Sequence, residues 1–116
     1  MKYLLSIYGS TEAWDALTDE AIADRDRTHA EVISELSASG ELIDTRQLDD
    51  AGKVVRTTRG VPTVTDGPFT EAKEIVGGFY LVDCVDEARA LEIAARFTEA
   101  EYAPIEVRPL VEHDAE

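Results

Sequence analysis

Ile75-Val76-Gly77-Gly78-Phe79-Tyr80-Leu81-Val82 reads as a strand that is apolar in both of its registers. Odd positions give Ile75, Gly77, Phe79 and Leu81; even positions give Val76, Gly78, Tyr80 and Val82. Successive side chains of a strand point to opposite faces, so this strand belongs in a sheet buried on both sides. Upstream, Lys2 to Tyr8 reads as a first strand, with Tyr3, Leu5 and Ile7 sharing one face. Thr18 is a good N-cap with Asp19 and Glu20 in the first turn, and the helix it opens runs to about Ser39 and stops at Gly40. Glu41 to Leu48 reads as a second strand, Asp49-Asp50-Ala51-Gly52 as a hairpin turn and Lys53 to Thr58 as a third strand. After Arg59-Gly60, Val61 to Thr65 continues that strand or adds a short extra one. Beyond Cys84, Asp86 caps a second helix with Ala88, Leu91, Ala94, Ala95 and Thr98 on one face, and Pro104 to Leu110 closes the chain as a strand.

The order is βαββαβ, a ferredoxin-like α+β fold, in a single domain of 116 residues. Two helices cover only one face of a four-stranded sheet. The second apolar face needs another cover, and a second copy of the same sheet is the simplest. The expectation is a homodimer packed through the faces that bear Tyr80 and its neighbours.

Before the central strand stands Thr65-Asp66-Gly67-Pro68-Phe69-Thr70-Glu71-Ala72-Lys73-Glu74. Gly67 accepts backbone angles that other residues resist, and Pro68 fixes its own φ and restricts the residue before it. One reading is an Asx-type turn that only joins two strands. The other is a turn that holds the Asp66 carboxylate at the mouth of a cleft, with Phe69 packed into the core.

Asp66-Gly67-Pro68-Phe69, with Glu71-Ala72-Lys73-Glu74 and Gly77-Gly78-Phe79-Tyr80, resembles the DGPF domain of the YCII-related (YciI-like) family. The opening Met1-Lys2-Tyr3-Leu4-Leu5 and the closing Ile105-Glu106-Val107-Arg108-Pro109-Leu110 are similar to it as well, so the resemblance spans nearly all of 1–116. It implies a ferredoxin-like fold of the dimeric α+β barrel group. Some relatives occur beside or fused to extracytoplasmic-function sigma factors, and one YciI-like branch contains chloromuconolactone dehalogenases. The chain departs from relatives at the short link Asp83-Cys84-Val85-Asp86, at Gln47-Leu48 and at Thr98, where relatives commonly have a proline at the last two. The first two lie near possible cleft edges, so substrate specificity does not carry across.

A net charge of -14, from 25 acidic and 11 basic residues, argues against direct nucleic-acid binding, which rests on clustered Lys and Arg. It also disfavours anionic membrane surfaces, and no apolar run approaches the ~20 residues of a membrane helix. No signal-peptide h-region follows Met1-Lys2, and the lone Cys84 has no partner for an internal disulfide, so a cytoplasmic setting fits. Three lysines against eight arginines suit a high-GC genome or a salt-adapted cytoplasm. Arg46, Lys53, Arg56, Arg59 and Lys73 make the middle third the least acidic, where an anionic substrate would be drawn or where the charges are scattered surface.

His29 falls on the apolar stripe of the first helix with Ile22, Val32, Ile33 and Leu36. It is either a core histidine bonded to a carbonyl or carboxylate, or an acid–base group whose near-neutral reference pKa suits proton transfer. The resemblance implies the second, since YciI-like proteins pair a helix histidine with an aspartate, and Arg27-Thr28-His29 with Leu36 and Gly40 aligns with that helix. Asp66 is the candidate partner. His113 stands in a tail expected to fray, and Cys84 reads as a packing residue. No metal site is expected, because only His29, Asp66 and Glu71 or Glu74 offer ligands. Gly77-Gly78 is either a bulge or a place where a ligand lies against the strand, walled by Tyr80, Phe79 and Phe69. No phosphate loop, dinucleotide fingerprint or nucleophile elbow occurs. Three functions follow: a ligand-binding accessory module, linked through the resemblance to sigma-factor signalling; a cofactor-free enzyme using His29 and Asp66 on a small acidic or lactone-like metabolite; or a purely structural dimer.

Overall fold

A computed structural model describes residues 1–67 and 74–112. In chain order it contains β1 (Lys2–Gly9), α1 (Thr11–Asp15), α2 (Asp19–Ser39), β2 (Leu42–Gln47), β3 (Gly52–Thr58), β4 (Val61–Gly67), β5 (Ile75–Asp83), α3 (Glu87–Ala95), a 3₁₀ turn (Thr98–Glu101) and β6 (Ile105–Pro109). The main sheet is antiparallel with order β2-β5-β1-β6, which is the ferredoxin-like arrangement, while β3 and β4 form a separate two-stranded ribbon.

The ribbon corrects one expectation. Lys53–Thr58 does not return along the second strand; β2 pairs with β5, which lies between β2 and β1 in the sheet. Arg59-Gly60 explains the switch. Their φ angles of +53° and +80° give the two-residue hairpin loop that folds Val61–Gly67 back onto Gly52–Thr58. Gly67 ends β4 without a positive φ; its missing side chain matters because a Cβ there would lie 3.2 Å from the Gly52 backbone. The expected burial of Phe69 falls outside the described residues, as does His113.

Local chemistry sets the helix ends. The Ser10, Thr18 and Asp86 side chains accept hydrogen bonds from Ala13, Ala21 and Arg89 amides, satisfying donors that have no partner inside the helix. Gly40, at φ +80°, closes α2 in the left-handed conformation. Among the described residues, no helix is long and apolar enough to cross a membrane.

The core lies between the two long helices and one sheet face. Register pairs Tyr3 with Val82, Leu5 with Tyr80 and Ile7 with Gly78, so odd residues of β1 and even residues of β5 face the helices. There they meet Val32 and Leu36 of α2 and Ala90, Ile93 and Ala94 of α3, with Phe97 just beyond. Burying each of the larger side chains contributes about 1.5–3 kcal/mol. The stripe on α3 therefore differs from the expected one: Ala88 and Leu91 are exposed, and the larger Ile93 and Phe97 set which face turns inward. Tyr80 is likewise on the helix side, 2% exposed, so a sheet-to-sheet interface cannot be built on it. The face away from the helices carries Leu4, Tyr8, Phe79 and Leu81, all half-buried.

Arg89 ties α3 to the start of β2. Its guanidinium donates to both Glu41 oxygens at 2.9 Å, a bidentate pair that, with the Ser39 hydroxyl, holds the Glu41 carboxyl below its ordinary range. Arg96 and Glu35 pair beside it, linking α3 to α2.

Candidate functional site

His29 sits where the amphipathic stripe of α2 crosses β5. Its Nδ1 lies 2.7 Å from the Tyr80 hydroxyl and its Nε2 lies 2.6 Å from Glu99 Oε2. Phe97 stacks on the imidazole with centroids 4.9 Å apart, and Tyr80 packs on Phe97 at 4.6 Å. The ring is held by two hydrogen bonds and an aromatic floor. Phe97 ends the α3 region and precedes the 3₁₀ turn, and that turn delivers Glu99 back toward α2.

The electrostatics of the chain Tyr80–His29–Glu99 follow from burial. Glu99 is 6% exposed; burial pushes its carboxyl up, but the hydrogen bond and charge of His29, with Arg25 further off, outweigh it and hold the group below its ordinary value. The ionised carboxylate only accepts, so Nε2 of His29 donates to it. For Tyr80, burial raises the phenol to about 12, with the Thr45 hydroxyl opposing and the Glu99 charge reinforcing. A phenol protonated at neutral pH donates to Nδ1 of a neutral imidazole. When the imidazole is protonated, the Nδ1–H donates to the phenol oxygen instead. A rotation of one hydroxyl therefore lets His29 change its charge without breaking the chain.

These groups open on a cleft of about 570 Å³ between α2 and the sheet. Its lining includes His29, Tyr80, Glu99, Trp14, Gly77 and Gly78, with Arg25 and Arg46 among the charged residues. Arg25 pairs with Asp26 at 3.3 Å and Arg46 with Asp44 at 3.4 Å. Trp14, on α1, was not foreseen as a site residue. A Cβ on Gly9 would come within 2.5 Å of its indole and one on Gly77 within 2.7 Å, so the two glycines make the bed on which the ring lies. Gly77 is also the extra residue where register shifts between Ile7 and Tyr8, so the bulge reading of Gly77-Gly78 holds in the fold. A Cβ on Gly78 would meet the Arg46 carbonyl oxygen at 2.9 Å, which keeps β2 close to β5.

Of the residues expected at the site, His29, Gly77, Gly78 and Tyr80 line this cleft together. Asp66 does not join them as the partner of His29. It stands on the ribbon, its side chain 88% exposed, paired with Lys53 across the β3–β4 ladder. The carboxylate on His29 is Glu99, and it was hidden because its position followed a helix expected to run through Thr98. Among the described residues, no three His, Cys, Asp or Glu side chains converge as metal ligands would. Cys84 is buried, and burial raises its thiol above the ordinary value.

The YCII-related domain profile matches residues 1–114. An uncharacterized protein of Rhizobium meliloti (strain 1021) is 35% identical over 104 residues, covering 86% of this chain and 82% of that one.

Proposed function

The chain belongs to the YCII-related domain family, and we propose that it is a ligand-binding module that holds a small metabolite in the cleft between α2 and the sheet. One observation carries the reading: a cleft of about 570 Å³, in the size range of small-molecule sites, has a hydrogen-bonded Tyr80–His29–Glu99 chain in its wall beside an aromatic face from Trp14. Such a wall combines apolar area with a donor–acceptor pair that fixes a ligand's orientation. A small acid or lactone suits it, because a ligand carbonyl oxygen accepts from the Tyr80 hydroxyl whenever Nδ1–H of His29 donates to the phenol oxygen and so frees its proton. The test is an NMR screen of small carboxylic acids and lactones against wild type and His29→Ala. Hits that perturb Trp14 and Tyr80 resonances and vanish in His29→Ala support the reading; hits that are indifferent to His29 refute it.

A second reading is favoured by the same chain: acid–base turnover, with His29 exchanging a proton with substrate and Glu99 stabilising the imidazolium. Incubation of each hit in D₂O, followed for deuterium uptake next to a carbonyl, distinguishes turnover from binding. A role beside an extracytoplasmic-function sigma factor fits the binding reading, and co-purification with such a partner is its test.

We also propose a homodimer. The face away from both long helices carries Leu4, Tyr8, Phe79 and Leu81 at its centre, flanked by Asp44 and Arg46 on β2 and by Glu106 and Arg108 on β6, and covering its apolar centre supplies favourable area. Light scattering that returns 12.7 kDa, the monomer mass, at micromolar concentration sinks this proposal.

A further inference from the structure

Among the described residues, strands β3 and β4 pair with each other and with no other strand. Val55, Val61 and Val64 are 63%, 61% and 62% exposed, and an isolated two-stranded ribbon is marginal in water. Val55 and Val64 are direct cross-strand partners; Thr57–Pro62 and the Lys53–Asp66 ion pair continue the same face. The radius of gyration, 16.3 Å, exceeds the roughly 13 Å of a compact domain of this length, as a projecting element requires. Charge sets the ribbon apart as well. Lys53, Arg56 and Arg59 against Asp66 give residues 52–67 a net charge of +2, which leaves -16 on the rest of the chain.

We infer that the ribbon is a strap that docks on a second copy of this chain. Its net charge is opposite to that of an identical protomer's body, and its paired valines match the half-buried Leu4, Tyr8, Phe79 and Leu81 at the centre of the sheet face there. A phosphate backbone is a poor occupant, since the -16 body repels it. Two straps exchanged about a twofold axis satisfy both protomers at once, the self-complementary geometry of a closed dimer. The inference rests on the homodimer reading and adds that the ribbon holds it.

Sedimentation equilibrium of wild type, Val55→Asp/Val64→Asp and Arg59→Asp tests it. Arg59-Gly60 has positive φ at both positions, where Asp-Gly is a favoured pair, so Arg59→Asp preserves the hairpin while reversing the charge at its tip. The valine variant is expected to weaken the dimer at least about tenfold, because buried apolar area is replaced by charge. Arg59→Asp is expected to weaken it about three- to tenfold, with less salt dependence and an unchanged far-ultraviolet spectrum. A wild type that stays monomeric overturns the inference together with the dimer reading. A wild-type dimer that both variants leave intact overturns the strap alone.

Discussion

Tyr80→Phe tests the hydrogen-bonded chain most directly. At neutral pH the variant loses the phenol that meets Nδ1 of His29 and is expected to be less stable by about 1–2 kcal/mol, the low end of the range for a buried acceptor left without its partner, because His29 is 22% exposed and water reaches it. Burial raises the Tyr80 phenol from 10.0 to about 12. A folded-state pKa above the unfolded one gives stability that is fully present below pH 10 and is lost as pH rises toward 12. Two units correspond to at most about 2–3 kcal/mol. Wild type therefore loses stability across that window through Tyr80, whereas Tyr80→Phe keeps only the contributions of Tyr3 and Tyr102, whose phenols burial also raises and which both proteins share. Urea denaturation of both proteins at neutral pH and at about pH 10 and 11 reads the difference. The gap between them is expected to shrink as pH rises. A gap that stays constant refutes the burial argument.

Glu99 titrates in the opposite sense: its folded-state value lies below 4.5, so its contribution is present above that pH and lost as pH falls through the folded value. Glu99→Gln is expected to flatten the acid limb of the stability profile, and nitrogen-15 shifts of His29 are expected to lose the preference for the Nε2–H tautomer. Gly77→Ala would place a methyl 2.7 Å from the Trp14 ring; the indole must move, with a red shift in the emission of the single tryptophan and a loss of about 1–3 kcal/mol. Arg89→Met removes the bidentate partner of Glu41 and is expected to cost about 1–3 kcal/mol, an effect that Glu41→Gln in the same chain should partly relieve.

The main sheet was legible because its strands carry their burial in their own alternation. Tyr3, Leu5 and Ile7 stand on one face by period alone, and β5 is apolar on both. What alternation cannot say is which face of β5 meets the helices, since both are apolar; register against β1 decides it, and Tyr80 went inward. The ribbon was illegible for a related reason. Gly52–Thr58 reads equally well as a partner for β2 or for β4, and the choice lies in the Arg59-Gly60 loop rather than in either strand.

The site divides the same way. His29 was visible because a histidine on an apolar helical stripe is chemically out of place, and its partly buried ring nitrogens demand partners. Which carboxylate answers that demand is not a local property. The chain has 25 acidic residues, and spacing along the sequence distinguishes none of them as the partner of residue 29. Asp66 stood out because a rigid Asp-Gly-Pro turn looks built to hold a side chain, yet its side chain is spent on Lys53 at the surface. Glu99 is selected by packing. Phe97, 1% exposed, drops into the core against Tyr80, and the 3₁₀ turn that follows brings Glu99 toward α2. A buried carboxylate needs a donor, and His29 Nε2, 2.6 Å away, supplies it. The partner of the site histidine is thus fixed by where an aromatic ring is buried two residues earlier, which is information held by the core rather than by any motif.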